Sequence, residues 1–361
     1  MIPFLLRRLL WFAITLLGVV TISFFLMRAV RGGPFDGERR LHPAIEANLA
    51  ARYNLDWPLW RQYLQYLGPF NLRADGIGGL LVVEDEAARL AKPTPEQAQG
   101  STVRFGSNVW TFTGDIGPRP FGGVLTGDLG PSFKYRDFTV NDIIGQSLPI
   151  SVALGSVALL WALVLGLTAG IGSALWRGTR VDLGLRLVAT LGIALPNFVI
   201  AAFLILLFAF LVPVLPVAGW GRAEHMILPG FALGAPFAAY IARLTRTGML
   251  EVLSQDHIRT ARAKGLPEWL ILLRHALKGG VLPVVSYLGP ATAGILTGSL
   301  VIERLFGIPG TGSHFVNSAL NRDYTLSMGV TILYTVLVYT LNTLVDLAYT
   351  LLDPRIRLEE S

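Results

Sequence analysis

Six apolar runs long enough to cross a lipid bilayer dominate this 361-residue chain: Leu9–Met27, Leu148–Leu175, Leu187–Val212, Met226–Ala242, Val281–Ile302 and Met328–Leu352. Roughly 20 apolar residues in a helix span a hydrocarbon core of ~30 Å. Runs of that length are helical, because a helix satisfies its backbone N–H and C=O groups without water. The expected fold class is therefore all-α, a polytopic membrane protein with six transmembrane helices. Composition agrees, with 52% hydrophobic against 15% charged residues and a mean hydropathy of +0.54. So little charge cannot coat a water-soluble surface of this size, which excludes a disordered chain, a nucleic-acid binder and an ordinary cytosolic enzyme. Without cysteine, disulfides, thiolate metal sites and cysteine nucleophiles are excluded as well.

An even number of spans puts both termini on one side, and basic residues indicate which. The N-terminus, the 176–186 loop, the 243–280 stretch and the C-terminal tail together carry fourteen Lys and Arg against seven Asp and Glu. That face is read as cytoplasmic, whereas the 28–147 loop balances thirteen basic against thirteen acidic residues. The first run follows Arg7 and Arg8 and continues into Arg28-Ala29-Val30-Arg31 without a small-x-small cleavage pattern, so it reads as an uncleaved signal anchor. The chain accordingly divides into a cytoplasmic start and first span (1–27), an extracytoplasmic segment (28–147), a five-helix core (148–352) and a cytoplasmic tail (353–361).

The 28–147 segment is too long for a plain connection. Pro43–Tyr53 and Pro58–Leu67 repeat apolar residues at helical spacing and are expected to be short amphipathic helices packing on the outer mouth or the lipid surface. Val103-Arg104-Phe105 and Val109-Trp110-Thr111-Phe112, around Gly106-Ser107-Asn108, read as a small β-hairpin, giving a mixed extracytoplasmic insertion. Within the core, Pro196, Pro229 and Pro290 are expected to kink or unwind their spans. Asn321-Arg322-Asp323-Tyr324 is expected to cap the last one.

One inner feature exceeds what topology requires. Between the fourth and fifth spans, the 250–280 segment is basic and contains Arg259-Thr260-Ala261-Arg262-Ala263-Lys264-Gly265-Leu266-Pro267-Glu268. A helix ending at Gly265 in a left-handed cap, followed by a second helix with Pro267 in its first turn, makes a sharp elbow. Small residues keep the bend slim enough to enter a groove on another protein, and the basic side chains orient it. A basic loop held only by anionic lipid headgroups is the plainer alternative.

The elbow resembles the coupling segment of ABC importer permeases. Against the general Glu-Ala-Ala, three residues, Gly consensus only Ala261, Gly265 and Leu277 match, but Arg259–Leu266 followed by Arg274-His275-Ala276-Leu277 resembles the oligopeptide and dipeptide branch closely. Gly130-Pro131-Ser132-Phe133-Lys134-Tyr135, Thr139-Val140-Asn141-Asp142, Thr297–Glu303, Pro309-Gly310-x-Gly312 and Asp353-Pro354-Arg355-Ile356-Arg357 carry the resemblance along the chain, with about 68–126 as added material. The resemblance implies the type I ABC importer permease fold in the inner membrane. It implies a transmembrane permease subunit that imports oligopeptides, or alternatively dipeptides or other peptide-like cargo. It also implies, as partners, a homologous second permease, two ATP-binding subunits that grip Arg259, Thr260, Ala261, Arg262, Ala263, Lys264, Gly265 and Leu266, an extracytoplasmic peptide-binding protein and membrane lipid. ATP and magnesium are then expected in the partner ATPases, with no cofactor, metal or catalytic residue in this chain. Glu303, Arg304, Phe306, Pro309, Gly310 and Gly312 are placed at the outer gate or in contact with the binding protein, with a simple surface turn as the alternative.

Asp346 lies inside the last apolar run, where a charge costs roughly 3 kcal/mol on insertion scales. A helix-packing or ion-pair role is favoured over a substrate contact. Its isolation argues against an ion-coupled carrier, which needs several intramembrane ionisable groups, as does the lack of an internal repeat. Ser299, in Thr297-Gly298-Ser299-Leu300, lacks the arrangement of an intramembrane serine protease, and no His-Glu-x-x-His or Gly-x-x-x-x-Gly-Lys-[Ser/Thr] motif occurs. The chain cannot cradle ATP phosphates itself, so energy must come from a partner.

Overall fold

The computed structural model describes residues 2–29, 55, 57–68, 102–105, 108–111, 123–135, 138–297 and 299–352. Among these, five helices are long and apolar enough to cross a membrane, and a bent helix pair makes a sixth span. Helix α1 is Ile2–Ala29 and α2 is Leu59–Leu67, with Pro58 at its N-cap. Strands β1 (Thr102–Phe105) and β2 (Asn108–Thr111) pair antiparallel, Phe105 opposite Asn108. The core helices are α3 (Val140–Leu175), α4 (Arg180–Ala194), α5 (Asn197–Ile205, continued by a π turn at Leu206–Leu211) and α6 (Glu224–Leu253). Next come α7 (Asp256–Ala263), α8 (Glu268–Leu270), a π turn at Ile271–Ala276 and α9 (Leu277–Gly280). The last four are α10 (Leu282–Thr297), α11 (Leu300–Leu305), α12 (Thr311–Leu320) and α13 (Tyr324–Leu352). The Pro43–Tyr53 helix and the 353–361 tail lie outside the described residues.

The expected proline bend is present at Pro196, and two other expectations about the spans are corrected. The Leu187–Val212 run is not one straight span, because α4 and α5 meet at 109°. Pro196 has no N–H and disfavours a helical residue before it, and Leu195 is indeed extended (φ −87°, ψ 130°). Pro229 and Pro290, in contrast, lie inside continuous helices α6 and α10. The short Met226–Ala242 run is part of a 30-residue helix that continues past Arg243 and Arg246.

Contacts divide the chain into two compact units. The first comprises Met1–Phe12, Ser147–Ser313 and Val336–Ser361. Here α6 is the hub, packed by α4, α5, α9 and α10. Its core joins Leu154 and Ala158 of α3, Ala201 and Leu204 of α5, Ala232 and Leu233 of α6, and Ile295, Ile302 and Phe306. Alanines at these contacts let backbones approach, as packing in lipid requires. Outward-facing Leu187, Val188, Leu191, Phe203 and Phe210 are exposed, the pattern of a chain whose solvent is hydrocarbon.

The second unit comprises Ala13–Gln146 and His314–Thr335. Tyr63 and Tyr66 of α2 pack their rings on Phe24 of α1, and the Tyr63 hydroxyl hydrogen-bonds Thr21 Oγ1 at 2.8 Å. Thr139 and Asp142 form a reciprocal cap at the start of α3: the Asp142 N–H donates to Thr139 Oγ1 (3.1 Å) and the Thr139 N–H to Asp142 Oδ2 (3.0 Å). Asp323 caps α13 by accepting the Leu326 N–H at 3.2 Å, as read from the sequence. The same buried carboxylate accepts the Ser132 hydroxyl and the N–H groups of Phe133 and Lys134, which ties the Gly130–Tyr135 loop to that helix start.

Candidate functional site

The elbow forms within the first unit as a helix–turn–helix. Helix α7 closes on Lys264, after which Gly265 takes φ +75°. The Gly265 N–H donates to Arg262 O (2.9 Å) and the Leu266 N–H to Ala261 O (3.3 Å), the paired bonds of a left-handed helix stop. Pro267 then sits at the N-cap of α8, one position before the first helical residue. Across the bend, Arg262 clamps Glu268 through Nε–Oε1 at 2.8 Å and Nη2–Oε2 at 3.3 Å.

Which elbow residues face outward follows from what the inward ones pack on. Ile258 and Ala261 are buried with Ala174, Met249, Val252 and Ile271, so α7 is seated on the ends of α3 and α6. Leu266 packs against the same cluster. Arg259, Thr260, Arg262, Ala263, Lys264 and Gly265 are exposed. Of the eight residues read as a coupling surface, six are thus free to meet a partner and two fasten the elbow to the bundle. Trp269, 64% exposed at the start of the second arm, escaped the sequence reading, although a tryptophan two residues after the proline turn was the available signal.

Above this seat lies a brace that no motif announced. Asp182 is buried, accepting Arg246 Nε and Nη2 on its two oxygens at 3.0 Å each, the Gly178 N–H at 2.9 Å and the Ser173 hydroxyl. Arg186 Nε lies 3.4 Å from the same carboxylate. One side chain therefore joins the end of α3, the turn after it, α4 and α6. Two-pronged Arg–carboxylate geometry is the strong form of this interaction.

The Glu303 segment, expected at the outer gate or the binding-protein contact, is built around a buried carboxylate. Glu303 is fully buried, and its Oε1 accepts the hydroxyls of Ser151 and Ser299, each at 2.7 Å. Its Oε2 accepts the Ser313 N–H at 3.0 Å. Ser151 in turn accepts the Thr311 N–H at 2.9 Å. A Cβ added at Gly310 would lie 2.5 Å from the Glu303 carboxylate carbon, so only glycine lets the loop close over it. Phe306, Gly310 and Gly312 are buried too, leaving Arg304 and Pro309 as the exposed members of the set. Glu303→Leu strands the Ser151, Ser299 and Ser313 donors, at about 1–3 kcal/mol for each left unsatisfied. A lower thermal midpoint is expected for the detergent-purified chain, with Arg304→Leu next door unchanged; equal midpoints in the two variants count against a stabilising role for this hydrogen-bonded carboxylate.

Asp346 pairs with Arg8 of α1. The Tyr339 hydroxyl bonds Arg8 O at 2.9 Å and its ring packs on Phe12, 5.0 Å between centroids, so this carboxylate joins the two terminal helices of the first unit.

A bundle of apolar spans that exposes a helix–turn–helix elbow is the architecture of a membrane-embedded protein. The chain belongs to the family of binding-protein-dependent transport system inner membrane components, whose model matches residues 162–358. It is 42% identical over 359 residues to the oligopeptide transport system permease protein OppB of Escherichia coli strain K12, covering 99% of this chain and 100% of that protein. It is 38% identical over 360 residues to the dipeptide transport system permease protein DppB of Bacillus subtilis strain 168, covering 100% of this chain and 99% of that one. Among solved structures, an inward-facing MetNI methionine ABC transporter chain matches with a TM-score of 0.50 at 16% identity, covering 58% of this chain and 96% of its own. The fold is thus that of type I ABC importer permeases, and the family is one of transport components rather than catalysts.

Proposed function

We propose that this chain is the permease subunit of an ATP-driven, binding-protein-dependent importer of oligopeptides and forms half of the translocation pathway. The observation that carries the reading is the end-to-end similarity to an oligopeptide permease, at 42% identity. Dipeptides are the second cargo class, favoured by the similarly complete match to a dipeptide permease. A homologous second permease completes the pathway. Two ATP-binding subunits, holding ATP and magnesium, receive the exposed elbow face from Arg259 to Gly265, with Trp269 as an aromatic anchor of the kind that dominates protein interfaces. An extracytoplasmic peptide-binding protein meets the opposite face near Arg304 and Pro309.

The elbow suits this role because it is stiff. The Arg262–Glu268 clamp and the seating of Ile258 and Ala261 against α3 and α6 turn a push on the elbow into a displacement of helix ends rather than local bending. Two-state domain motions are transmitted by such packed elements. Both termini and the elbow are placed in the cytoplasm.

Reconstitution with candidate ATPases and binding proteins tests the reading. Peptide-loaded binding protein is expected to stimulate ATP hydrolysis, and stimulation by a non-peptide cargo alone would refute the assignment. Orientation has its own test. Because the chain lacks cysteine, a Lys264→Cys variant in sealed cells is expected to resist an impermeant maleimide until the membrane is opened.

A further inference from the structure

A cavity of about 410 Å³ opens between α3, α4 and α6, lined by Ser173, Arg186, Thr190, Arg243, Arg246 and Thr247 among others. Three guanidiniums thus line the cavity, and the neighbouring carboxylate of Asp182 is held by Arg246 and lies 3.4 Å from Arg186, leaving Arg243 apart. Among the described residues Arg243 has no acidic partner and only lies 5.7 Å from the Tyr240 ring centroid. The cavity therefore carries an excess of positive charge, with Arg186 and Arg243 both exposed to whatever enters it. Guanidiniums are suited to phosphate oxygens, which accept their forked N–H donors.

The surroundings decide what carries the phosphate. The cavity's remaining lining is largely apolar, including Ala169, Ala189, Ile193, Ala194 and Ala242. Next to it α4 exposes Leu183, Leu187, Val188 and Leu191. A water-soluble anion gains nothing from such walls, whereas an amphiphile with an anionic head and hydrocarbon tails satisfies both parts. The cavity also lies at the elbow's end of the bundle: Ser173 and Arg246 line it, while neighbouring Ala174 and Met249 seat the elbow. Basic pockets between transmembrane helices at the cytoplasmic side bind acidic headgroups.

The geometry points to an anionic phospholipid site, in which Arg186 and Arg243 hold the headgroup phosphate and the acyl chains lie along α4. Assignment to the cytoplasmic leaflet rests on the orientation proposed above; binding itself does not.

The test is native mass spectrometry of the full chain co-purified with its partners in mild detergent. It is titrated with phosphatidylglycerol or phosphatidylcholine of identical chains. Wild type is expected to retain phosphatidylglycerol about tenfold better, an advantage that Arg186→Gln with Arg243→Gln removes. Arg259→Gln with Lys264→Gln on the elbow is expected to keep it. Equal retention of the two lipids by wild type, as when a partner subunit covers the cavity, overturns the proposal. Undiminished preference in the Arg186/Arg243 variant overturns it too. Displacement of the lipid by millimolar glycerol phosphate alone would assign the pocket to a free anion instead. No ATP or peptide is added, and lipid retention is read whichever partners co-purify, so its failure is separable from failure of the transport reading.

Discussion

Replacing Gly265 by valine is expected to abolish ATP-coupled uptake while leaving the chain inserted and folded. Gly265 holds φ +75°, where a residue with a Cβ pays roughly 1–2 kcal/mol and a β-branched one more. A Cβ built there meets nothing within 4 Å, so the penalty is purely one of backbone conformation and does not spread into the bundle. The helix stop is what relaxes, and with it the angle at which α8 leaves α7. Because Arg262 and Glu268 straddle that angle, their clamp opens at the same time. Asn tolerates the left-handed region, so Gly265→Asn is expected to restore much of the activity. Uptake of labelled peptide and binding-protein-stimulated ATP hydrolysis, both measured in proteoliposomes, check the pair. Full transport by the valine variant would rule out this turn as the coupling element.

The second large effect is expected at Asp182. Removing its carboxylate in Asp182→Ala leaves the largely buried Arg246 guanidinium without its counter-charge and strips the Gly178 N–H and Ser173 hydroxyl of their acceptor. Breaking such a pair from one side costs about 3–5 kcal/mol, against a whole-domain stability of about 5–15 kcal/mol. A sharp fall in the thermal midpoint and in the yield of monodisperse protein is the expected result. Asp182→Leu combined with Arg246→Met removes both charges and is expected to recover much of the loss, since apolar replacements of buried pairs are often neutral or better. If the single and double variants prove equally unstable, the ion pair is not what the brace contributes. Arg246→Ala alone should resemble Asp182→Ala, with the damage softened because Arg186 stays within 3.4 Å of the carboxylate.

The sequence leaves open the long-range partners of its charges and the different fates of its prolines. The apolar run ends at Arg243 and Arg246, whereas the helix continues to Leu253, with Arg246 paired to a carboxylate 64 positions earlier. The resemblance places Glu303 at the outer gate or the binding-protein contact, and hydroxyls from positions 151 and 299 hold it buried within the chain. Asp346 was read as a packing or ion-pair residue, and Arg8 at the far end of the chain is its partner. Pro196, Pro229 and Pro290 look alike in sequence. Only Pro196 breaks its helix, while the other two are carried inside helices of the packed core.

The elbow, by contrast, was legible almost to the residue. Its signals are local: a glycine able to take a left-handed turn and a proline two residues later, whereas the seating of Ile258 and Ala261 appears only in the structure. Local backbone chemistry acts over a few residues and is written in their order. The spans, the cap at Asp323 and the membership of a transport family belong to the same class of information. Which charges are neutralised, which loop closes over Glu303, and how Arg186, Arg243 and Arg246 come to line one cavity depend on residues separated by tens to hundreds of positions. Those pairings are decided only when helices pack, because the cost of a charge in a low-dielectric interior depends on its neighbours in space rather than in sequence.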